Sequence, residues 1–166
     1  VVAYGEAYFG EIASSFDTAI GLDDAVIHPD YVPLENGVGG VGGTLGEYDV
    51  SVLILSEEAP VQPSRVRLEP LTAEVEGTTL TSVGFGVTET GSSGVKYSAE
   101  LTLDTLDPMF LISYSATNDN GANICSGDSG GPQFYVDEDG VPVQWAVHSW
   151  GDSNCTNSSG STRVDI

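Results

Sequence analysis

The feature that most constrains this chain is its rhythm. Short apolar runs alternate with polar residues at period two and are cut by clusters of Gly, Pro, Asn and Asp, while no stretch sustains the spacing of an amphipathic helix. That pattern predicts an all-β chain. Strands are expected over 1–4, 19–28, 49–55 and 65–68, and, past a linker at 70–76, over 78–86, 95–105, 109–115, 133–136, 143–150 and 162–166. Six strands in the second group are enough to close a small barrel, whereas the first group holds four. We therefore divide the chain into 1–72 and 73–166. The glycine-rich run at 36–43 reads as a flexible loop.

Charge then narrows the partners. With 25 acidic against 4 basic residues, the net charge of −21 sets up a field that repels nucleic acid phosphates and anionic membranes. Neither class is expected to bind. No apolar run is long enough to span a bilayer, and the opening VVAYGEAYFG lacks the basic flank of a signal peptide, so any export signal is expected upstream. The two cysteines, Cys125 and Cys155, stand outside any CxxC or Cys/His metal pattern. They suit one disulfide in an oxidising compartment, extracellular or periplasmic, and no metal or other cofactor is called for.

Chemistry is concentrated in Cys125-Ser126-Gly127-Asp128-Ser129-Gly130-Gly131-Pro132. A serine between an acidic residue and two glycines, in a run almost free of bulky side chains, suits a hydroxyl nucleophile held on a tight turn. Glycine opens backbone conformations closed to other residues, so the amides of such a turn can face the oxygen of a tetrahedral intermediate. Gly127 and Ser129 are the natural donors. Upstream, Tyr48-Asp49-Val50-Ser51-Val52-Leu53-Ile54-Leu55 puts a carboxylate at the mouth of an apolar strand, where it needs a polar partner.

At these residues the chain resembles the trypsin/chymotrypsin family of serine endopeptidases, whose nucleophile segment reads GDSGGP with a cysteine four residues before the serine. The resemblance runs from about Ala19 onward. It implies a double six-stranded antiparallel β-barrel with the first barrel incomplete. It assigns Ser129 as nucleophile, Gly127 and Ser129 as oxyanion hole, Asp128 as the carboxylate that receives the new amino terminus after activation, and Asp49 as the carboxylate that orients the general base. It also implies a Cys125–Cys155 disulfide. By the same resemblance Asn123 lies at the base of the primary pocket with Ile124 beside it, Gly151 and Gly160 line its walls, and Ser149-Trp150-Gly151 forms the strand that pairs with extended substrate. Asn123 offers an amide where a preference for Arg or Lys would need a carboxylate, so a polar or medium-sized residue is expected before the scissile bond.

One member is missing. His28, in a histidine-proline pair, and His148, before Ser149, both match structural positions of the family, and no residue matches its general base. An IVGG-like amino terminus and the closing helix of the family are also absent. The sequence therefore reads as a portion of a longer secreted protease that acts on protein or peptide substrates, inactive alone, its histidine supplied by a missing N-terminal segment or another chain. A non-catalytic pseudoprotease that binds protein partners is the alternative. A half-built first barrel would expose strand edges, and marginal stability is expected. Asp137-Glu138-Asp139-Gly140 reads as a hairpin turn rather than a calcium loop, and Asn154 and Asn157 open N-glycosylation patterns.

Overall fold

The computed structural model describes residues 5–32 and 46–166. Strands occupy Glu6–Phe9 (β1), Thr18–Ile27 (β2), Ser51–Leu55 (β3), Arg65–Val66 (β4), Thr79–Gly84 (β5), Tyr97–Thr102 (β6), Thr105–Leu106 (β7), Phe110–Tyr114 (β8), Pro132–Val136 (β9), Pro142–Gly151 (β10) and Ser158–Arg163 (β11). The helical pieces among the described residues are three short 3-10 turns, Ala73–Val75, Ser115–Thr117 and Asp119–Gly121. The chain is all-β, as its rhythm predicts. The strand expected at 1–4 and the loop at 36–43 lie outside the described residues.

Two sheets form. β1, β2 and β3 pair antiparallel in that order, while the larger sheet runs β6-β5-β9-β10-β11-β8-β7 with β4 added parallel to β10. Its two ends are halves of one run, 97–106. Leu103 exchanges backbone bonds with Gly77 and Thr78, and the next residue, Asp104, donates instead to Ile112, so the run leaves β5 and takes up β8. The single strand expected at 95–105 thus divides where it changes neighbours, and the sheet curls round to meet itself. Inside the curl lie Leu71, Leu80, Leu103, Leu111, Trp145 and Ala146, with Tyr135 stacked on Trp145 at 4.8 Å. Burying each large side chain of this kind contributes about 2 kcal/mol.

β11 departs from expectation. The sequence places it at 162–166, but it spans Ser158–Arg163, because Ser159, Gly160, Ser161 and Thr162 are buried although none is strongly apolar. The space between β10 and β8 is filled by small residues, which leave no hydrophobic period to read. Arg163 is also buried, and its guanidinium donates to both oxygens of Asp165, at 3.0 and 2.7 Å. Asp165 in turn accepts from the Leu71 amide at 2.6 Å, tying the end of the chain to the linker. Burial pushes the Asp165 carboxyl up, but Arg163 and that amide outweigh it and hold the group below its ordinary value.

The small sheet has a different character. Val26, Ile27, Val52, Leu53 and Ile54 are each 44–59% exposed, an apolar surface with no cover among the described residues. Asp137 accepts the amides of Asp139 and Val141 and so closes the β9–β10 hairpin, as expected for a turn. Among the described residues no cluster of His, Cys, Asp or Glu could hold a metal.

Candidate functional site

The segment 125–131 leads from the disulfide into β9. Cys125 is bonded to Cys155 with Cα atoms 5.3 Å apart, which ties this segment to the 152–158 loop. Gly127 and Gly130 adopt φ of 94° and 83°, values that exclude an ordinary side chain without strain. Asp128 donates its amide to the Cys125 carbonyl at 3.0 Å, Gly131 donates to the Asp128 carbonyl at 2.9 Å, and Gly130 donates to the His148 carbonyl at 2.8 Å. Cys125 donates to the Asp128 carboxylate at 2.8 Å. Three amides of this turn stand apart, that of Ser126 among them. The N–H groups of Gly127 and Ser129 donate to none of the described residues, and Ser129 is exposed.

Asp128 turns inward. Its second oxygen accepts the Gly86 amide at 2.7 Å, and Val87 donates to the Ser126 carbonyl at 2.9 Å. The carboxylate fits only because Gly84 and Gly86 lack side chains: a Cβ at Gly84 would overlap the carboxylate, and one at Gly86 would come within 2.6 Å of it. The turn thus rests on the segment 84–87 through its acidic residue.

Asp49 lies two residues before β3 of the small sheet. Tyr48 takes φ 53°, Val50 donates back to the Tyr48 carbonyl at 2.7 Å, and the Asp49 carboxylate is turned out at this bend. It accepts the Ser149 hydroxyl at 2.7 Å. Ser149 reaches it because the β10–β11 register skips a residue between His148 and Trp150, a bulge that re-aims the serine. The sequence singles out Ser149 for its strand position. Its side-chain bond to Asp49, a hundred residues away, leaves no local signal.

Neither histidine ring is hydrogen-bonded to Ser129. His28 stacks on Tyr48 at 4.7 Å and accepts the Asp30 amide at 3.2 Å. His148 is 2% exposed, with Nδ1 2.9 Å from the Ser161 hydroxyl and its amide on the Gly131 carbonyl at 2.8 Å. Burial lowers its pKa from 6.5 to about 4, against the opposing pull of Asp128 and the Val83 carbonyl.

Beside the turn, Asn123 accepts the Ile124 amide with its own Oδ1 at 3.0 Å, while its Nδ2 is buried without a partner among the described residues. Ile124 is buried. Gly151 pairs with Ser159 across β10 and β11, and a Cβ at Gly151 would lie 3.3 Å from the Ile124 carbonyl. These residues converge. Gly160 pairs with Trp150, and a Cβ there would strike the indole, so this glycine makes room for Trp150. Trp150 packs edge-on against Phe110 at 6.0 Å. Two residues carry no mark in the sequence. Ser159 has no hydrophobic signature, and Asp152 is an ordinary turn residue by sequence, yet it accepts the amides of Asn154, Asn157 and Ser158 at 3.1, 2.8 and 3.2 Å and organises the disulfide loop.

Comparison with known proteins adds one finding. The sequence model described as Trypsin matches residues 4–165. No curated protein matches the chain.

Proposed function

The chain belongs to the trypsin family, and on that premise we propose that it is a serine endopeptidase chain that cleaves protein or peptide substrates through an acyl-enzyme on Ser129. The observation carrying this reading is the pair of unengaged amides, Gly127 and Ser129, on either side of Asp128 and beside an exposed serine, in a turn fixed by the bonded amides of Cys125, Asp128, Gly130 and Gly131. The hydroxyl oxygen attacks the scissile carbonyl carbon as its proton passes to the base, and the two amides take the negative charge that forms on the carbonyl oxygen. One such donor is worth about 3 kcal/mol of barrier. The amine then leaves with a proton from the base, and water releases the acyl group by the reverse sequence. Asp49, held by Ser149, steadies the imidazolium of that base. Asp128 braces the turn and is the carboxylate that would receive a new amino terminus.

The base is neither His28 nor His148, whose rings are engaged elsewhere, so it is supplied by a histidine outside this chain, from an N-terminal segment or a partner. The chain alone is therefore inactive in hydrolysis. Asn123, Ile124 and Gly151 form the primary pocket and Ser149-Trp150-Gly151 holds the extended substrate, with Gly160 behind Trp150. The disulfide fits a secreted protein. A second reading, a non-catalytic binding module, is favoured by the same two histidines, both bonded away from Ser129.

A fluorophosphonate probe tests the choice when imidazole is added as a surrogate base. Labelling at Ser129 that requires imidazole and disappears in Ser129→Ala is expected. No labelling in either condition would discard the peptidase reading in favour of the binding module.

A further inference from the structure

Where the two sheets meet, the backbone is stitched by Ala13 donating to the Gly94 carbonyl at 2.7 Å and Lys96 donating to the Glu11 carbonyl at 2.9 Å. Beside this seam is a cavity of about 280 Å³ lined by Tyr8, Gly10, Ile12, Ala13, Phe16 and Phe85. Three of the six are aromatic, and Tyr8 and Phe16 face one another at 4.5 Å. Its volume is at the bottom of the range of about 300–1,000 Å³ usual for small-molecule sites, which suits one or two side chains better than a cofactor.

Its rim is acidic. Glu6 accepts the Tyr8 hydroxyl at 2.9 Å, and the Asp17 carboxylate lies beside Gly10, 3.7 Å from where a Cβ there would stand. Glu11 is paired with Lys96 at 2.7 Å. An occupant entering here meets two carboxylates without a cation among the described residues, in a chain of net charge −21. Complementarity calls for an apolar anchor flanked by positive charge.

The floor of the cavity is coupled to the nucleophile turn. Phe85 stands between Gly84 and Gly86, the two glycines that make room for Asp128, and the Gly86 amide donates to that carboxylate at 2.7 Å. We propose that this cavity is a docking site for one apolar, preferably aromatic, side chain carried next to lysine or arginine on a peptide segment of a partner protein. Docking is sensed at Gly86 through Phe85. The site stands apart from the chemistry of Ser129, so its test does not depend on the peptidase reading.

The probe is acetyl-Lys-Phe-Lys-amide titrated into the full chain labelled with ¹⁵N, with acetyl-Glu-Phe-Glu-amide as its counterpart. Saturable amide shifts are expected at Tyr8, Ile12 and Gly86, with affinity falling several-fold between about 50 and about 300 mM salt. The acidic peptide should bind at least about ten-fold more weakly. Ala13→Leu, which fills the cavity from an exposed position, should abolish the shifts, while Ser129→Ala leaves them unchanged. Should Ala13→Leu fail to fold, Glu6→Gln combined with Asp17→Asn tests the same contact and should weaken binding several-fold. Equal binding of the two peptides, indifference to these variants, shifts confined to residues 126–131, or no saturable shift would each overturn the proposal.

Discussion

His148 should make this protein sensitive to mild acid. The ring is 2% exposed, its Nε2 is buried and makes no well-formed hydrogen bond among the described residues, and its Cδ2 lies 3.0 Å from where a Cβ on Gly131 would stand. Of the charged groups around it, Asp128 favours the protonated form, but burial prevails and the pKa falls from 6.5 to about 4. Above pH 6.5 the ring is neutral in both folded and unfolded chains, and His148 adds no pH dependence. Between 6.5 and about 4 only the unfolded chain takes up the proton, so stability declines as pH falls, and below about 4 the contribution levels off. The interval between those values, at about 1.4 kcal/mol per pH unit, amounts to about 3 kcal/mol. Urea unfolding at steps from pH 7 down to about 4 measures it, with His148→Leu as reference because leucine fills the same space without titrating. The difference between the two curves isolates the histidine from the carboxylates, which titrate in both proteins. The wild type should lose about 3 kcal/mol more than the variant across the window. Parallel curves would refute the argument, since they would mean that the proton is accommodated where it lies.

Three further outcomes follow from the packing. Gly160→Ala places a methyl group into the Trp150 indole and should destabilise the protein by about 2 kcal/mol, with a change in tryptophan fluorescence, both read in thermal melts. Asp165→Asn leaves the buried Arg163 without its counter-charge and should cost about 3 kcal/mol at neutral pH. The Asp165 carboxyl is held below its ordinary value, so that deficit should shrink as acid protonates the wild-type group, which denaturation at falling pH would reveal. Cys125→Ser with Cys155→Ser opens a loop of separation 30 and should lower stability by about 3 kcal/mol, while a melt unchanged by the replacement would show the link to be dispensable.

Different parts of the molecule are legible in the sequence to different degrees. The serine turn can be read locally, because Gly127 and Gly130 occupy positive-φ positions and its flanking cysteine finds the partner the resemblance implies. The strands of the large sheet up to β10 are visible as alternating apolar runs, but β11 is displaced because serine, glycine and threonine fill its buried positions. β1, Glu6–Phe9, escapes notice because its own burial alternates only between exposed and half-buried. Asp49 is recognisable from the strand it opens, whereas the Ser149 hydroxyl that bonds to it depends on a bulge, and a bulge leaves no mark in the order of residues. Gly160 shows the same limit: in sequence it looks like any pocket glycine, and only the facing indole reveals the direction in which its missing side chain would point.

The pair of glycines beneath Asp128 divides the freedom of its segment unevenly. Positions 84 and 86 tolerate no side chain without displacing the carboxylate, but residue 85 between them points away from it into the cavity at the seam. Changing that single ring should therefore alter both what the seam accepts and how its occupancy is felt at Gly86, whose amide holds the carboxylate beneath the serine turn.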